Sequence, residues 1–121
     1  MVLMLVGWST PVLPQVQWTL AHDIENPTLG TFDLFGSSVS VDGSRILVGS
    51  WSDDSTGPGA GRAYLFDTVT GGWLQTYENP TPATGPYFGM VVSLSGGRVS
   101  VGKAWDSTVA SNSGRAYLFD T

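Results

Sequence analysis

The chain has 121 residues and no cysteine, and its five basic and ten acidic residues make up only 12% of the sequence. The lack of cysteine excludes disulfides, thiolate metal sites and cysteine nucleophiles. The net charge of −5 provides no basic patch of the kind that binds nucleic acid or inserts at an anionic membrane surface. A single domain of this length can bury a core, and the shortage of charge indicates that part of its surface is covered by another surface.

Residues 1–15 form an apolar N-terminal segment with two interpretations. Met1–Val6 is uniformly apolar, but no Lys or Arg precedes Arg45, so the basic start of a signal peptide is missing. The run is also too short to span a bilayer. We expect this segment to be either the remnant of a signal peptide or an edge strand or tail.

Residues 16–77 are expected to contain a leading strand followed by one four-stranded unit. Apolar runs rich in Val, Tyr, Phe and Leu are bounded here by Gly, Asp, Ser or Pro, which is the pattern of strands. Asp42-Gly43 predicts a tight hairpin turn between the first two strands of the unit. The predicted strands are Val16–His22, Phe35–Val41, Arg45–Trp51, Gly61–Asp67 and Trp73–Tyr77.

Residues 78–121 repeat this unit without its fourth strand. Glu25–Thr68 aligns with Glu78–Thr121 without a gap, at an offset of 53 residues, and 22 of the 44 aligned positions are identical. Self-similarity at such a period is typical of solenoids and propellers, whose units bury their apolar faces against neighbours. The predicted strands are Phe88–Leu94, Arg98–Lys103 and Arg115–Asp120.

The third strand of each unit is apolar on both faces. Ala63 and Leu65 face one side and Tyr64 and Phe66 the other, and the copy at 116–119 has the same residues. A blade that is packed between two other blades meets this condition. We therefore predict an all-β fold of two tandem four-stranded antiparallel β-propeller blades, forming part of a propeller or completed by oligomerisation, with a β-sandwich as the alternative.

These residues resemble the FG-GAP repeat family, the integrin-like β-propeller blades. The resemblance covers residues 16–121 and is closest to a bacterial subgroup with Asn-Pro-Thr linkers, here at Asn26 and Asn79. It implies that the Phe-Gly pairs and the surviving glycine of each Gly-Ala-Pro are structural, since a strand start packed between blades requires close backbone approach. The matching residues are Phe35, Gly36, Gly49, Phe88, Gly89 and Gly102.

Blades of this family often carry a calcium loop in the first hairpin, and that site does not carry over. The hairpin at 41–44 has a single acid and the one at 95–97 has none, whereas calcium takes six to eight oxygens. The equivalent residues Asp53 and Asp106 lie in the long loops, with Asp54 beside the first. They are weak calcium ligands or solvated turn carboxylates, and no other cofactor is expected.

Catalytic constellations are missing from the sequence. His22 is the only histidine, and a leading strand is a poor place for a Ser–His–acid set. Asp53 and Asp106 form the one carboxylate pair that symmetry offers for glycoside hydrolysis. Trp51 and Trp105 lie near the same loops and could either stack on sugar rings or pack between blades.

The sequence therefore predicts a non-enzymatic binding or structural module for protein interaction or adhesion, on an exported protein at the cell surface or outside the cell. Recognition would use the long loops at 52–60 and 104–113, which differ between the copies. Self-association could complete a propeller. The alternatives are a carbohydrate-binding or carbohydrate-active propeller and a truncated fragment without independent function.

Overall fold

The computed structural model describes residues 11–120, which fold into two antiparallel sheets. The first sheet has the strand order β1-β2-β3-β4 and the second sheet the order β5-β6-β7. Each strand pairs with its neighbour in sequence, which is the meander of a propeller blade. The strands are β1 (Phe35–Asp42), β2 (Arg45–Ser50), β3 (Arg62–Asp67), β4 (Trp73–Glu78), β5 (Val91–Ser95), β6 (Arg98–Lys103) and β7 (Arg115–Asp120).

The first hairpin of each repeat closes on a two-residue turn that begins with glycine. Asp42 pairs with Arg45, so the central residues are Gly43 and Ser44, one position later than the sequence predicts. Gly43 has φ +56° and its equivalent Gly96 has φ +57°, a conformation that glycine adopts without a steric penalty. The ladder therefore extends through Asp42, whose side chain becomes available for contacts between the sheets.

The main core lies between the two sheets, as predicted for two all-β blades that pack face to face. Because successive residues of a strand point to opposite faces, each sheet contributes one of its faces to this core. The arrangement is consistent with two adjacent blades of a partial propeller. The buried residues are Leu47, Ala63, Leu65 and Tyr77 of the first sheet with Phe88, Val92, Leu94, Val99 and Val101 of the second.

A smaller cluster covers the outer face of the first sheet. It consists of Val48, Tyr64 and Phe66, with Ile24 of the leading segment packed against it. The predicted strand at 16–22 is wrong, because residues 11–34 form no strand. A strand needs an edge to pair with, and this segment is held instead by contacts with the first sheet's turns, such as the hydrogen bond between His22 Nε2 and the Val69 carbonyl oxygen (2.8 Å). Most of the predicted apolar N-terminal segment lies outside the described residues.

The one helical element in residues 11–120 is a single 3₁₀ turn at Pro82–Thr84, within the linker between the sheets. No helix in that range has the length and hydropathy of a membrane span.

The outer face of the second sheet is open to solvent, contrary to the prediction that both faces of each third strand are covered. Leu118 is 64% exposed, whereas its equivalent Leu65 is 3% exposed. Ala116 is likewise exposed and its equivalent Ala63 is buried. The residues are identical, so the difference follows from what packs on each face, and within the described chain nothing packs on this one.

Candidate functional site

The joint between the two sheets is a contact between backbones that only glycine permits. A Cβ on Gly49 would lie 2.1 Å from the carbonyl oxygen of Gly89, and one on Gly61 would lie 1.9 Å from that of Phe88. In return, a Cβ on Gly89 would lie 2.3 Å from the carbonyl oxygen of Arg62. The Phe-Gly pair of the second repeat thus seats its backbone in a cleft lined by glycines of the first, and the Phe88 ring is fully buried in the core.

Polar side chains of β1 complete the joint by binding the backbone of β5. Ser38 Oγ accepts a hydrogen bond from the Val92 amide (3.1 Å), and Ser40 Oγ accepts one from the Leu94 amide (3.0 Å). Asp42 Oδ2 accepts from the Gly96 amide at 2.6 Å. The three acceptors lie at alternate positions, on the face of β1 that points to the second sheet. They fix the register of one sheet on the other.

The second sheet presents a copy of this joint on its outer side, which we call the open flank (Gly102, Gly114, Ala116 and Leu118). At Gly102, the equivalent of Gly49, the nearest atom to an added Cβ is Val91 Cβ at 3.5 Å, an ordinary contact. At Gly114, the equivalent of Gly61, it is the Ala104 carbonyl oxygen at 3.0 Å. At the other end of the chain, Gly36 has nothing within 4 Å, although its equivalent Gly89 is tightly enclosed.

Each repeat also encloses a carboxylate in a polar cluster, and the cluster around Asp106 we call the second nest. Asp106 Oδ2 accepts hydrogen bonds from Thr84 Oγ1 (2.8 Å) and Thr81 Oγ1 (3.1 Å) and lies 2.9 Å from Lys103 Nζ. Its Oδ1 accepts from the Thr108 amide (2.8 Å). The Tyr117 hydroxyl contacts both Thr81 and Asp106. The linker, β6, β7 and the long loop therefore meet at this carboxylate.

The cluster around Asp53, the first nest, repeats this plan. Asp53 Oδ2 accepts a hydrogen bond from the Tyr64 hydroxyl, and Oδ1 accepts one from the Ser55 amide (2.9 Å). Thr28 of the Asn-Pro-Thr linker lies within reach of the Tyr64 hydroxyl, and its equivalent Thr81 bonds Tyr117. Arg62 Nε lies 4.0 Å from Asp53 Oδ1. The repeated linker, loop Asp and third-strand Tyr thus form one structural unit.

Hydrogen bonding overrides burial in setting the charge of both carboxylates. Burial alone would raise the pKa of Asp53, but hydrogen bonds from Ser55 and Tyr64 and the charge of Arg62 hold it below its ordinary value. For Asp106, bonds from Thr108, Lys103 and Thr84 outweigh burial and hold its pKa far below its usual range. Burial and the bond to Asp53 raise the pKa of the Tyr64 hydroxyl. Both carboxylates are ionised and serve as anchors of the fold.

The expectation that Asp53 and Asp106 are solvated turn carboxylates is wrong, because both are buried. Each lies in its own nest with no hydrogen-bonding partner in common, so they do not form a carboxylate pair, and Asp54 is exposed beside them. Within residues 11–120, no three acidic or His side chains gather as metal ligands. Sequence reasoning did not find Tyr64, Tyr117 and the linker threonines, although their identity in both copies was a usable signal.

Trp51 and Trp105 converge on one residue, Tyr87. The Trp51 ring is 4.8 Å from the Tyr87 ring and the Trp105 ring is 5.9 Å from it, both edge-on. Tyr87 belongs to the linker and has a φ of +74°, which is unusual for a side chain of this size. The cluster ties the long loops of both repeats to the linker, and Trp105 remains 49% exposed.

Comparisons with curated proteins and with solved structures find no match for this chain. The FG-GAP repeat family matches at residues 18–66 and again at 82–119, segments that together cover more than half of the sequence. The first matched segment contains β1, β2 and nearly all of β3 but not β4, and the second contains β5, β6 and nearly all of β7; each includes one Phe-Gly pair. The chain therefore belongs to the FG-GAP repeat family.

Proposed function

We propose that this chain is a non-enzymatic interaction module whose open flank binds a further unit of the same kind. The observation that carries the proposal is the identity of two surfaces with different burial. Ala63 and Leu65 are covered by the second sheet, while Ala116 and Leu118 present the same side chains to solvent. Exposed apolar side chains, beside glycines that leave room for the backbone of another unit, form a docking surface.

The complementary surface lies at the opposite end of the molecule. Val92 and Leu94 of β5 are buried in the joint, and their equivalents Val39 and Val41 are exposed on β1. A second copy can therefore place its β1 face on the open flank as β5 is placed on the first sheet. Such a contact is head-to-tail, since it uses two different surfaces of each molecule.

The leading segment supports the same arrangement. Glu25 is the equivalent of Glu78, one repeat earlier in the chain. Glu78 accepts a hydrogen bond from Arg62 (2.8 Å) where β4 pairs with β3. The third strand β7 pairs only with β6 in the described chain. A copy docked head-to-tail would carry its residues 20–25 to the free edge of β7 and bring Glu25 opposite Arg115. That segment would then gain the partner it needs to become a strand.

The test is the mass in solution by light scattering, with two single substitutions on the opposed surfaces. Leu118→Glu alters the open flank and Val39→Glu alters the β1 face, and both positions are exposed, so neither should affect folding. We expect the wild type to associate and each variant to be monomeric. A mixture of the two variants should form a one-to-one dimer, because each retains the surface that the other has lost.

Val109→Glu is the matched control, since Val109 is an exposed residue of the long loop and is part of neither surface as defined above. It should associate as the wild type does. A wild type that remains monomeric at all concentrations would contradict the proposal, and so would variants that do not complement each other.

The partners and location belong to the same proposal. The long loops differ between the repeats while the strands do not, and loops held by a rigid sheet are the usual place for protein recognition. We place this recognition or adhesion outside the cell, on an exported protein, as the resemblance to integrin-like blades implies. Fractionation of cells that produce the native protein, followed by detection with an antibody, tests the location.

Carbohydrate binding is the second candidate function, and the aromatic cluster favours it. Trp105 is half exposed and is held edge-on to Tyr87, so a sugar ring could stack on its free face. A glycan array would show a signal that Trp105→Ala removes. Trp73→Ala is the matched control, because Trp73 is an equally exposed indole on β4. The absence of any signal, or its survival in Trp105→Ala, would reject this function.

A further inference from the structure

The two nests differ in charge although they share one plan. In the second nest, Asp106 lies beside two cationic groups, Lys103 at 2.9 Å and Arg115 at 3.7 Å. In the first nest, Lys103 is replaced by its equivalent Ser50, and a second carboxylate, Asp33, is buried nearby. One nest thus has a surplus of positive charge and the other a surplus of negative charge.

The Lys103 ammonium marks a position that is lined by oxygen. Its Nζ lies 2.5 Å from the Thr81 carbonyl oxygen, 3.2 Å from Thr81 Oγ1, 3.0 Å from Thr84 Oγ1 and 2.9 Å from Asp106 Oδ2. The side chain is fully buried, and these protein oxygens stabilise its charge. A buried charge persists only when its surroundings are built for it. The second nest is therefore a cation site that is occupied by the ammonium group of Lys103.

The first nest has Ser50 in place of Lys103 and its ammonium. Ser50 Oγ donates a hydrogen bond to the Asp33 carbonyl oxygen at 2.9 Å and brings no charge. Asp33 is 3% exposed, and its Oδ2 accepts from Asn26 Nδ2 (2.9 Å) and Thr28 Oγ1 (3.0 Å). Its Oδ1 has no hydrogen-bonding partner. Among buried side-chain atoms in residues 11–120, only Arg62 Nε shares that condition.

One hydroxyl of the first nest faces more acceptors than it has protons. The Thr28 hydroxyl carries one proton but faces two acceptors at 3.0 Å, Asn26 Oδ1 and Asp33 Oδ2. A carboxylate oxygen that is buried without a partner is costly. A surplus of oxygen acceptors around a buried carboxylate is what a cation requires of its ligands.

We propose that the first nest binds a hard, oxygen-liganded cation, with Ca²⁺ as the probe, and that Asp33 Oδ1 is a direct ligand. The cation would supply the charge that Lys103 supplies in the second nest. The site is separate from the first hairpin at 41–44. The Asp33 and Asp53 carboxylates contribute two negative charges and Arg62 offsets one of them, so we expect an affinity of about 10⁻⁴ to 10⁻³ M, in the range of extracellular calcium modules.

The experiment measures the thermal midpoint and the calorimetric binding of Ca²⁺ for three variants beside the wild type. Asp33→Asn removes the ligand charge, and Ser50→Lys installs the ammonium of the second nest. Asp54→Asn is the matched control, an exposed carboxylate in the adjacent loop. Titrations with Mg²⁺ and Na⁺ show whether the site prefers calcium, and all four proteins are measured at a concentration where they are monomeric, so that the result does not depend on the docking proposed above.

We expect Ca²⁺ to raise the midpoint of the wild type and of Asp54→Asn equally. The apparent affinity should fall by at least about tenfold in Asp33→Asn, because the loss of even an outer-shell partner of a metal ligand costs about 10–100-fold. Ser50→Lys should be more stable than the wild type in chelator and should no longer respond to Ca²⁺. If Asp33→Asn does not fold, the response of Ser50→Lys alone decides. A wild type that responds to none of the three cations, or a Ser50→Lys variant that responds as the wild type does, overturns the proposal.

Discussion

The two repeats place the same sequence in two different environments. The segment Arg-Ala-Tyr-Leu-Phe-Asp forms β3 and also β7, in the same register with its preceding strand. In β3 the four central residues are buried, whereas in β7 they alternate between half-buried and exposed. Burial in this chain is therefore a property of the neighbouring sheet more than of the residue. The comparison also separates what a repeat needs for its own ladder from what it needs for docking.

The largest expected effect comes from placing one methyl group at equivalent glycines. Gly49→Ala puts a Cβ 2.1 Å from the Gly89 carbonyl oxygen, a backbone atom that cannot move without separating the sheets. We expect a loss of about 1–3 kcal/mol or more in the free energy of unfolding, as for other overpacked cores. Gly102→Ala meets only an ordinary contact at 3.5 Å, so its effect should stay within about 0.5 kcal/mol. Urea unfolding followed by tryptophan fluorescence measures both.

The same pair sharpens the proposal for the open flank. At a concentration where the chain associates, Gly102→Ala should weaken association, because the flank would then meet the backbone of a second copy as Gly49 meets Gly89. Equal losses of monomer stability at the two glycines would show that the strand itself, and not the joint, requires glycine there.

The fold was largely predictable because the strand pattern of the first repeat recurs in the second, so each copy supports the prediction of the other. Six of the eight predicted strands begin and end within two residues of those observed, and β5 begins three residues later than predicted, at Val91. The exception is the segment at 16–22, whose pairing depends on an edge that the local sequence does not contain. The openness of β7 was equally beyond local reasoning, since its residues are identical to those of β3.

The nests were less predictable than the strands, because each combines residues that are far apart in sequence. Asp106 is bonded by Thr81 and Thr84, 25 and 22 residues earlier in the chain. An acidic residue in a polar loop is normally solvated, and a lysine at the end of a strand normally points to water. Only the fold shows that Lys103 and Asp106 neutralise each other, and that Ser50 leaves Asp33 without the equivalent cation.

A change of pH provides the next prediction, which concerns both nests. The pKa values of Asp53 and Asp106 are lower in the folded chain than their ordinary value of about 4, so the folded state binds fewer protons than the unfolded state. Their contribution is complete above that value and is lost as the pH falls through it toward the folded pKa. We expect urea midpoints to be similar at pH 7 and 6 and to fall steeply below about pH 4.

The pKa of Asp106 lies further below the ordinary value than that of Asp53, so the second nest should dominate this acid sensitivity. Asp106→Asn should be less stable than the wild type at pH 7 but show a flatter dependence of stability on pH, and Asp53→Asn should flatten it less. If both variants retain the slope of the wild type, other carboxylates are responsible for the acid unfolding.

The last prediction compares the two nests through the removal of one hydroxyl group from each. Tyr64→Phe leaves Asp53 Oδ2 buried without its donor, and Tyr64 itself is fully buried. The expected loss is about 1.5–3 kcal/mol, the usual value for a hydrogen bond to a charged group. Tyr117 is half-buried, and Asp106 Oδ2 keeps Lys103 and two threonines when the hydroxyl is removed, so Tyr117→Phe should cost only about 0.5–1.5 kcal/mol. Urea unfolding at pH 7 measures the difference. Because the first nest has fewer donors than the second, the larger loss must come from Tyr64, and a larger loss from Tyr117 would show that the donors of the second nest are not interchangeable.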